Sequence, residues 1–169
     1  MIVERGSGDN IIVVDPGANM LLDGADIPAG PLDRAGVVLL QLEIPLRTVR
    51  EVAERAAGLV VLNPAPMVDG VLDLLDRVDV IVPNQFELQS LLRQDSPITL
   101  EAAAAALRAV PGPCDVVATF GGNGAFVYQR ERDTVTHIAP PAVRVVDTTG
   151  AGTACVGCWP PNSRPEQIS

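Results

Sequence analysis

Short aliphatic runs alternate with amphipathic stretches along most of the chain. The runs at 10–14, 37–42 and 59–62 are rich in Ile, Leu and Val, and each ends at a polar or turn-forming residue. Such runs are typical of strands that are buried on both faces of a parallel sheet. The segment between the second and third runs has apolar residues at helical spacing, with Pro45 near its start and Gly58 after its end, and therefore predicts a helix.

The same alternation continues toward the carboxyl terminus. The pattern predicts a short helix at 71–78, a strand ending at Asn84, a helix directly after it, and an Ala-rich helix with Thr99 as its N-cap. The stretch "DVVATFGGNGAFVYQ" predicts two strands joined by a glycine turn, and "VTHIAPP" and "VRVVD" predict further strands. This order favours a three-layer, Rossmann-like α/β sandwich with a mostly parallel central sheet and helices on both faces.

The last eleven residues differ from the rest of the chain. The segment "WPPNSRPEQIS" contains three prolines and has no helical periodicity, so it cannot continue a helix. We therefore predict one domain over residues 1–158 and an irregular proline-rich tail over residues 159–169.

Composition narrows the class of protein. The 169 residues are 47% hydrophobic and only 3% aromatic, which predicts one domain with an aliphatic core. The net charge of −9 argues against nucleic acid or an anionic membrane as partner. The sequence has no apolar run of membrane-spanning length and no signal peptide, which predicts a cytoplasmic protein. It contains no Lys, which excludes a Walker A lysine and a Schiff-base lysine.

The cysteines and the single histidine only weakly indicate a redox, zinc or catalytic site. Cys155 and Cys158 form a C-x-x-C pair, which is compatible with a redox pair or with half of a zinc site. A zinc site would also need His137 and Cys114 to lie nearby. We favour the simpler interpretation of two small residues at a helix start, and we expect His137 to be a surface strand residue rather than a catalytic base.

Polar residues follow the predicted strands at successive positions. In an open α/β sheet, ligands bind beyond the carboxyl ends of the strands. A single Asn there is usually a turn former, whereas a succession of polar strand ends predicts a site. The candidates are Asn19, Glu43, Asn63, Asn84, Glu87, Thr119, Gly121, Asp147 and the turn Gly150-Ala151-Gly152.

Two of these groups have chemistry of their own. Asn84 and Glu87 are three residues apart at a strand-to-helix junction, where an amide and a carboxylate suit phosphate and hydrated Mg²⁺. The alternative is a helix cap with a first-turn Glu. The stretch "VRVVDTTGAGTACVGCW" predicts a strand, a glycine turn and a helix start, where converging N–H groups can hold an anion.

These motifs carry a family resemblance. "VVDTTGAG" resembles the C-terminal signature D-T-T-G-A-G-D of the ribokinase family of sugar kinases, the phosphofructokinase-B type. "NIIVVDPGAN", "LLQLEIP", "LNPAP", "VPNQFE" and "ATFGGNGAFV" match that family in order, so that the resemblance covers residues 8–158. The chain resembles a truncated internal-to-C-terminal fragment, and its ribokinase-like sandwich is expected to be incomplete at both ends.

The resemblance implies an ATP-dependent sugar kinase, with D-ribose converted to ribose 5-phosphate. It implies ATP, Mg²⁺ and K⁺ as cofactors, and a homodimer for the full-length family member. By resemblance, Glu43 would contact the sugar hydroxyls. Asn84 and Glu87 would order phosphates and Mg²⁺, and Thr119 and Gly121 would line the nucleotide. Asp147 and Thr149 would belong to a monovalent-cation loop, and Gly150, Ala151 and Gly152 would form the anion hole for the phosphoryl group.

One position departs from the family signature. The family's catalytic Asp follows G-A-G, and this chain has Thr153 there. A threonine hydroxyl is a very poor base, and losing a general base costs roughly 10²–10⁴-fold in rate. We therefore expect little or no kinase activity, and a frameshift near codon 153 is one hypothesis for both Thr153 and the tail. The alternative function is a non-catalytic nucleotide- or sugar-binding remnant, or a truncated gene product.

Two further expectations concern a dinucleotide-binding fold and the parts of the family fold that have no counterpart here. A Rossmann-type dinucleotide-binding domain would need G-x-G-x-x-G after the first strand, and D-P-G-A-N stands there instead. The family's N-terminal sugar-binding motif, its lid strands and its last helices have no counterpart in this sequence. Exposed sheet edges and apolar faces would follow, and they predict poor solubility or self-association.

Overall fold

A computed structural model describes residues 2–4, 10–12, 15–142 and 150–157 of the chain. The predicted strand "VRVVD", the site candidates Asp147 and Thr149, Cys158 and the predicted tail lie outside the described residues.

The described part contains eight strands, five α-helices and four short 3₁₀ helices. The strands are β1 (Ile2–Glu4), β2 (Asn10–Ile12), β3 (Val37–Leu40), β4 (Leu59–Leu62), β5 (Val80–Ile81), β6 (Asp115–Thr119), β7 (Ala125–Gln129) and β8 (Thr134–Ile138). The α-helices are α1 (Ala29–Arg34), α2 (Leu46–Arg55), α3 (Gln85–Leu91), α4 (Ala103–Ala109) and α5 (Ala151–Gly157). The 3₁₀ helices are Gly17–Leu21, Gly24–Asp26, Val71–Arg77 and Gly121–Asn123.

The central sheet has six strands in the order β3-β4-β5-β6-β7-β8. Strands β3 to β6 are parallel, with Leu40 opposite Leu62 and Ile81 opposite Val116. Strands β7 and β8 are antiparallel to their neighbours. The α/β class, the mostly parallel sheet and the hairpin around the glycine turn are therefore confirmed.

The first predicted strand belongs elsewhere. Strand β2 pairs antiparallel with β1 in a separate two-stranded sheet, so the expectation that it begins the parallel series is wrong. An aliphatic run indicates a strand but does not identify the strand that pairs with it. Residues 13 and 14 of that run lie outside the described residues.

Several element boundaries differ from the sequence pattern. The strand predicted over 37–42 ends at Leu40, and the helix predicted at 71–78 is a 3₁₀ helix. Thr99 does cap a turn, because its Oγ1 accepts a hydrogen bond from Ala102 N at 3.3 Å. The α-helix itself begins only at Ala103, so the prediction of Thr99 as its N-cap is wrong.

The sheet separates two apolar clusters. On one face, α1 to α4 pack over inward-facing residues such as Leu62 and Ile81, both of which are fully buried. On the other face, Val61, Val117 and neighbouring valines form a smaller cluster with Val156 of α5. Helices on both faces are thereby confirmed, with most of the helical packing on the first face. Among the helices that the structure describes, none is long and apolar enough to cross a membrane.

The parallel strands bring their carboxyl ends to one edge of the sheet. Asn63 follows β4 directly, and its N–H donates to Leu40 O at 2.9 Å. Beyond β5, Asn84 forms an isolated parallel bridge with Thr119 at the end of β6. This edge is where the sequence predicts a ligand site.

Candidate functional site

A small cavity of about 180 Å³ lies at the carboxyl-terminal edge of the parallel strands. Six predicted site residues line it: Asn63, Asn84, Glu87, Thr119, Gly150 and Gly152. Ala65, Val82 and Val156 complete the wall. The fold thus brings together predicted site residues that are far apart in the chain, from Asn63 to Gly152.

Asn84 and Glu87 form a reciprocal helix cap at the start of α3. The Asn84 side-chain Oδ1 accepts hydrogen bonds from Phe86 N and Glu87 N, both at 2.9 Å. In return, Asn84 N donates to Glu87 Oε2 at 2.8 Å. The helix cap, which was the alternative interpretation of this pair, is therefore present in the structure. The amide Nδ2 of Asn84 and the second carboxylate oxygen of Glu87 are not used by the cap, and both side chains line the cavity.

Burial affects the pKa of Glu87. Desolvation raises the pKa of its carboxyl group above the ordinary value of 4.5, and the hydrogen bond from Asn84 N opposes this only in part. Removing a carboxylate from water disfavours its charged form. A bound cation would relieve that cost, so the environment of Glu87 suits a carboxylate that meets a metal ion or its hydration shell.

Thr119 and Gly121 occupy different positions relative to the cavity. Thr119 ends β6, donates its N–H to Pro83 O at 3.0 Å and lines the cavity. Gly121 begins the next 3₁₀ helix with a left-handed φ of 55°, and it is not among the lining residues. The turn therefore leaves the cavity wall immediately after Thr119.

The glycine turn before α5 contributes Gly150 and Gly152 to the cavity wall. Gly150 has a φ of 78°, which favours glycine, and both Gly150 and Gly152 are exposed. Beyond these two glycines there is open space, because a methyl group on either Cα would meet no atom within 4 Å. Ala151 and Thr153 lie in the first turn of α5 by their backbone.

Glu43 and Asn19 lie in a neighbouring groove. This groove has a volume of about 560 Å³, and its wall is mainly apolar, with Met20, Leu42 and Leu46 among the contributors. Ala65 lines both this groove and the smaller cavity. The predicted strand-end residues thus divide between two adjacent spaces that share one wall residue.

A third cavity, of about 530 Å³, lies at the opposite edge of the sheet and contains no predicted site residue. Two of the carboxylates that line it make structural hydrogen bonds to the backbone. Asp79 Oδ2 accepts from Val60 N at 2.7 Å, and Asp115 Oδ1 accepts from Arg130 N at 2.8 Å. We place the candidate site at the smaller cavity because its lining combines free polar groups from separate strand ends.

The structure also bears on the thiol of Cys114 and on metal binding by the described residues. Cys114 is buried in the core, and desolvation raises the pKa of its thiol to about 11, so it stays protonated near neutral pH. Residues 2–4, 10–12, 15–142 and 150–157 include no cluster of three His, Cys, Asp or Glu side chains suited to a metal ion.

The family model of pfkB family carbohydrate kinases matches residues 1–158. The chain belongs to the pfkB family. This match includes every candidate site residue.

Individual relatives of the pfkB family point the same way. The chain is 33% identical over 168 residues to the ribokinase of Schizosaccharomyces pombe, covering 94% of this chain and 52% of that protein. It is 33% identical over 166 residues to the deoxyribokinase of Salmonella typhi, covering 94% and 53%. The structure of Arabidopsis thaliana ribokinase complexed with ribose and ATP is similar with a TM-score of 0.64 and 27% identity, covering 94% and 56%. The chain spans about half the length of the curated relatives it matches.

Some lining residues had no signal in the sequence. Ala65 and Val82 are small aliphatic residues beside strand ends, and Val156 contributes from the last turn of α5. Only their closeness in sequence to Asn63, Asn84 and the glycine turn could have suggested them. Apolar wall residues have no chemistry that distinguishes them from the core.

Proposed function

We propose that this chain carries the phosphate-binding part of an ATP-dependent sugar kinase of the ribokinase type. The observation that carries the proposal is the convergence of Asn84, Glu87 and two turn glycines on one cavity. Phosphoryl transfer depends chiefly on positioning and on charge stabilisation, which such groups supply. Membership in a carbohydrate kinase family supports the same reaction class.

Each group has a distinct task in the proposed site. The Asn84 amide Nδ2 donates to a phosphate oxygen, while its Oδ1 remains in the helix cap. Glu87 would hold a hydrated Mg²⁺, which would supply positive charge to stabilise the phosphates. The backbone of Gly150, Ala151 and Gly152 surrounds the transferred phosphoryl group. Thr119 and Gly121 contact the nucleotide, and the loop containing Asp147 and Thr149 holds K⁺.

We assign the sugar to the neighbouring groove. Glu43 lies there, separated from the phosphate cavity by Ala65, and a carboxylate is a suitable acceptor for sugar hydroxyls. D-ribose is the proposed substrate, with ribose 5-phosphate as product. The support is the similarity to ribokinases, one of which has a structure with ribose and ATP.

The step that this chain performs poorly is proton removal. In the transfer, the sugar hydroxyl oxygen bonds to the γ-phosphorus, ADP leaves, and the hydroxyl proton must pass to a base. Thr153 stands where the family signature has its catalytic Asp, and a threonine hydroxyl does not accept a proton near neutral pH. We therefore propose that the chain has little or no kinase activity. In the alternative function, the same cavity serves only to bind a nucleotide or a sugar.

Glu87→Gln separates nucleotide binding from helix capping. The amide oxygen of Gln can still accept from Asn84 N, so we expect little change in melting temperature. The negative charge is lost, and hydrogen bonds involving charged groups contribute about 1.5–3 kcal/mol. We therefore expect MgATP to bind about ten- to a hundredfold more weakly. Isothermal titration calorimetry with MgATP, combined with thermal unfolding, makes the measurement.

Two variants serve as controls for that experiment. Glu54→Gln removes an exposed carboxylate of α2, remote from the cavity, and should leave MgATP affinity unchanged. Glu87→Ala removes both the charge and the acceptor for Asn84 N, so it should weaken binding and also lower the melting temperature. The proposed role of Glu87 is wrong if Glu87→Gln binds MgATP as tightly as the unaltered chain.

The raised pKa of Glu87 predicts a pH-dependent cost to stability. A carboxyl whose pKa is higher in the folded state favours folding most when it is protonated. Its penalty therefore appears as the pH rises from about 4.5 through the raised folded pKa. Relative to Glu87→Gln, the unaltered chain should lose unfolding free energy across this interval. Urea unfolding at pH 4 and at pH 8 measures the difference, and an equal difference at both pH values would contradict the prediction.

A further inference from the structure

The glycine turn between β6 and β7 is held from outside by strand β8. This turn, Gly121–Asn123, is separated from Thr119 of the candidate site by Phe120 alone. Within the turn, Asn123 N donates to Phe120 O at 3.0 Å, and Phe120 N donates to Gly124 O at 2.8 Å. The carbonyl of Asn123 points to a side chain fourteen residues later, because it lies 2.8 Å from His137 Nε2.

The His137 ring is fixed by a second contact. It stacks on Phe126, directly opposite it in the β7–β8 register, with centroids 4.5 Å apart and an interplanar angle of 26°. Phe126 in turn meets Phe120 edge-to-face at 5.1 Å, and Phe120 is buried. The His137 ring is therefore linked to the core through Phe126 and Phe120, and Phe120 directly precedes the turn. Its Nε2 is directed at Asn123 O.

Strand β8 also contacts the turn at Gly124. That residue has a φ of 84°, and a Cβ there would overlap the carbonyl oxygen of Ile138. The backbone of β8 at Ile138, one residue after His137, thus lies against the residue that follows the turn. The hydrogen bond and this close backbone approach fix both ends of the segment Asn123–Gly124 from the same strand.

We infer that His137 is a positioning residue for the nucleotide-contacting turn, acting through the Asn123 carbonyl. The inference rests on the proposed function for its effect on nucleotide binding, and on the hydrogen bond and ring stack for its effect on the turn. A carbonyl oxygen only accepts, so His137 Nε2 carries the donated proton. The ring stack with Phe126 fixes the position of His137 Nε2 relative to Asn123 O. The turn, held in place, then positions Thr119 and Gly121 relative to the cavity.

Three substitutions separate the donor from the ring. His137→Phe keeps an aromatic ring for the stack and removes the donor. His137→Gln keeps an N–H donor near the position of Nε2 and removes the ring. His137→Ala removes both. Thr136→Ala is the matched control, since Thr136 is an exposed neighbour on the opposite face of β8.

The first measurement is amide hydrogen exchange at residues 121–124, which requires no ligand. We expect exchange to become about three- to tenfold faster in His137→Phe and in His137→Ala, the range that follows from losing one hydrogen bond. His137→Gln should recover most of the protection, and Thr136→Ala should match the unaltered chain. As His137 is the single histidine of the chain, its ring N–H is also an unambiguous NMR signal for the donated proton.

The second measurement is MgADP affinity by calorimetry, which tests the link to the nucleotide. We expect His137→Phe and His137→Ala to bind about three- to tenfold more weakly, with His137→Gln close to the unaltered chain. Unchanged exchange in His137→Phe and His137→Ala would overturn the positioning role, whatever the affinity. If exchange responds as expected but the unaltered chain does not bind MgADP, the turn-positioning role stands and the proposed nucleotide function fails. Altered exchange with unchanged affinity in a chain that binds MgADP would overturn the link between His137 and the nucleotide.

Discussion

Thr153→Asp should raise ribose-dependent ADP release from MgATP by about 10²–10⁴-fold, the contribution of a positioned general base. The expected gain arises because a carboxylate accepts the hydroxyl proton that threonine cannot. The backbone of residue 153 lies in the first turn of α5, where a negative charge is favourable to the helix. The substitution should therefore leave the melting temperature unchanged or slightly higher. A coupled ADP assay with and without D-ribose measures the effect.

Thr153→Asn is the matched control for that experiment. It has the size of Asp and the same polarity at the helix start, but its amide is not a base at neutral pH. Acceleration by Asp alone would support the assignment of position 153 to proton removal. Equal rates for Asp and Asn, in chains shown by calorimetry to bind both MgATP and ribose, would contradict it and leave binding as the function of the cavity.

Leu62→Ala should destabilise the fold by about 2–5 kcal/mol, the range for removing a fully buried leucine side chain. Leu62 is completely buried at the end of β4, between β3 and β5, and it directly precedes Asn63 of the cavity. The loss comprises the transfer free energy of the removed methyl groups and the space left between the sheet and its helices. Urea unfolding monitored by circular dichroism gives the change in unfolding free energy.

A leucine on the adjacent strand provides the comparison. Leu39 lies on edge strand β3 with 44% of its surface exposed. Leu39→Ala should change the unfolding free energy by no more than about 0.5 kcal/mol, as expected for surface positions. Similar losses for the two variants would mean that the described packing around Leu62 does not exist in solution.

The site was predictable from sequence because it lies at strand ends. The aliphatic runs locate the strands, and parallel strands place their carboxyl ends together, so Asn63, Asn84 and Thr119 could be grouped before the fold was known. The division between the cavity and the groove of Glu43 could not be predicted. It depends on where the chain turns after β3 and β4, and periodicity carries no information on that path.

Local capping and long-range contacts also differ in how they appear in sequence. The Asn84–Glu87 pair has the spacing of a capping box, and the structure contains it. His137 was predicted to be a surface strand residue, and the structure confirms its exposure. Its hydrogen bond to Asn123 was not predictable, because it depends on the register between β7 and β8. The sequence pattern does not indicate helix α1, because its six residues include Gly30 and Pro31 and lack a full amphipathic period.

The order of the central sheet has a consequence for how the chain reaches its folded state. Each strand from β3 to β7 pairs with the next described strand in sequence, and the longest connection between them runs from Ile81 to Asp115. Contacts between nearby chain segments cost little loop-closure entropy and favour fast folding. During synthesis, the described part of the sheet can therefore grow one strand at a time from β3 to β8 as the chain leaves the ribosome.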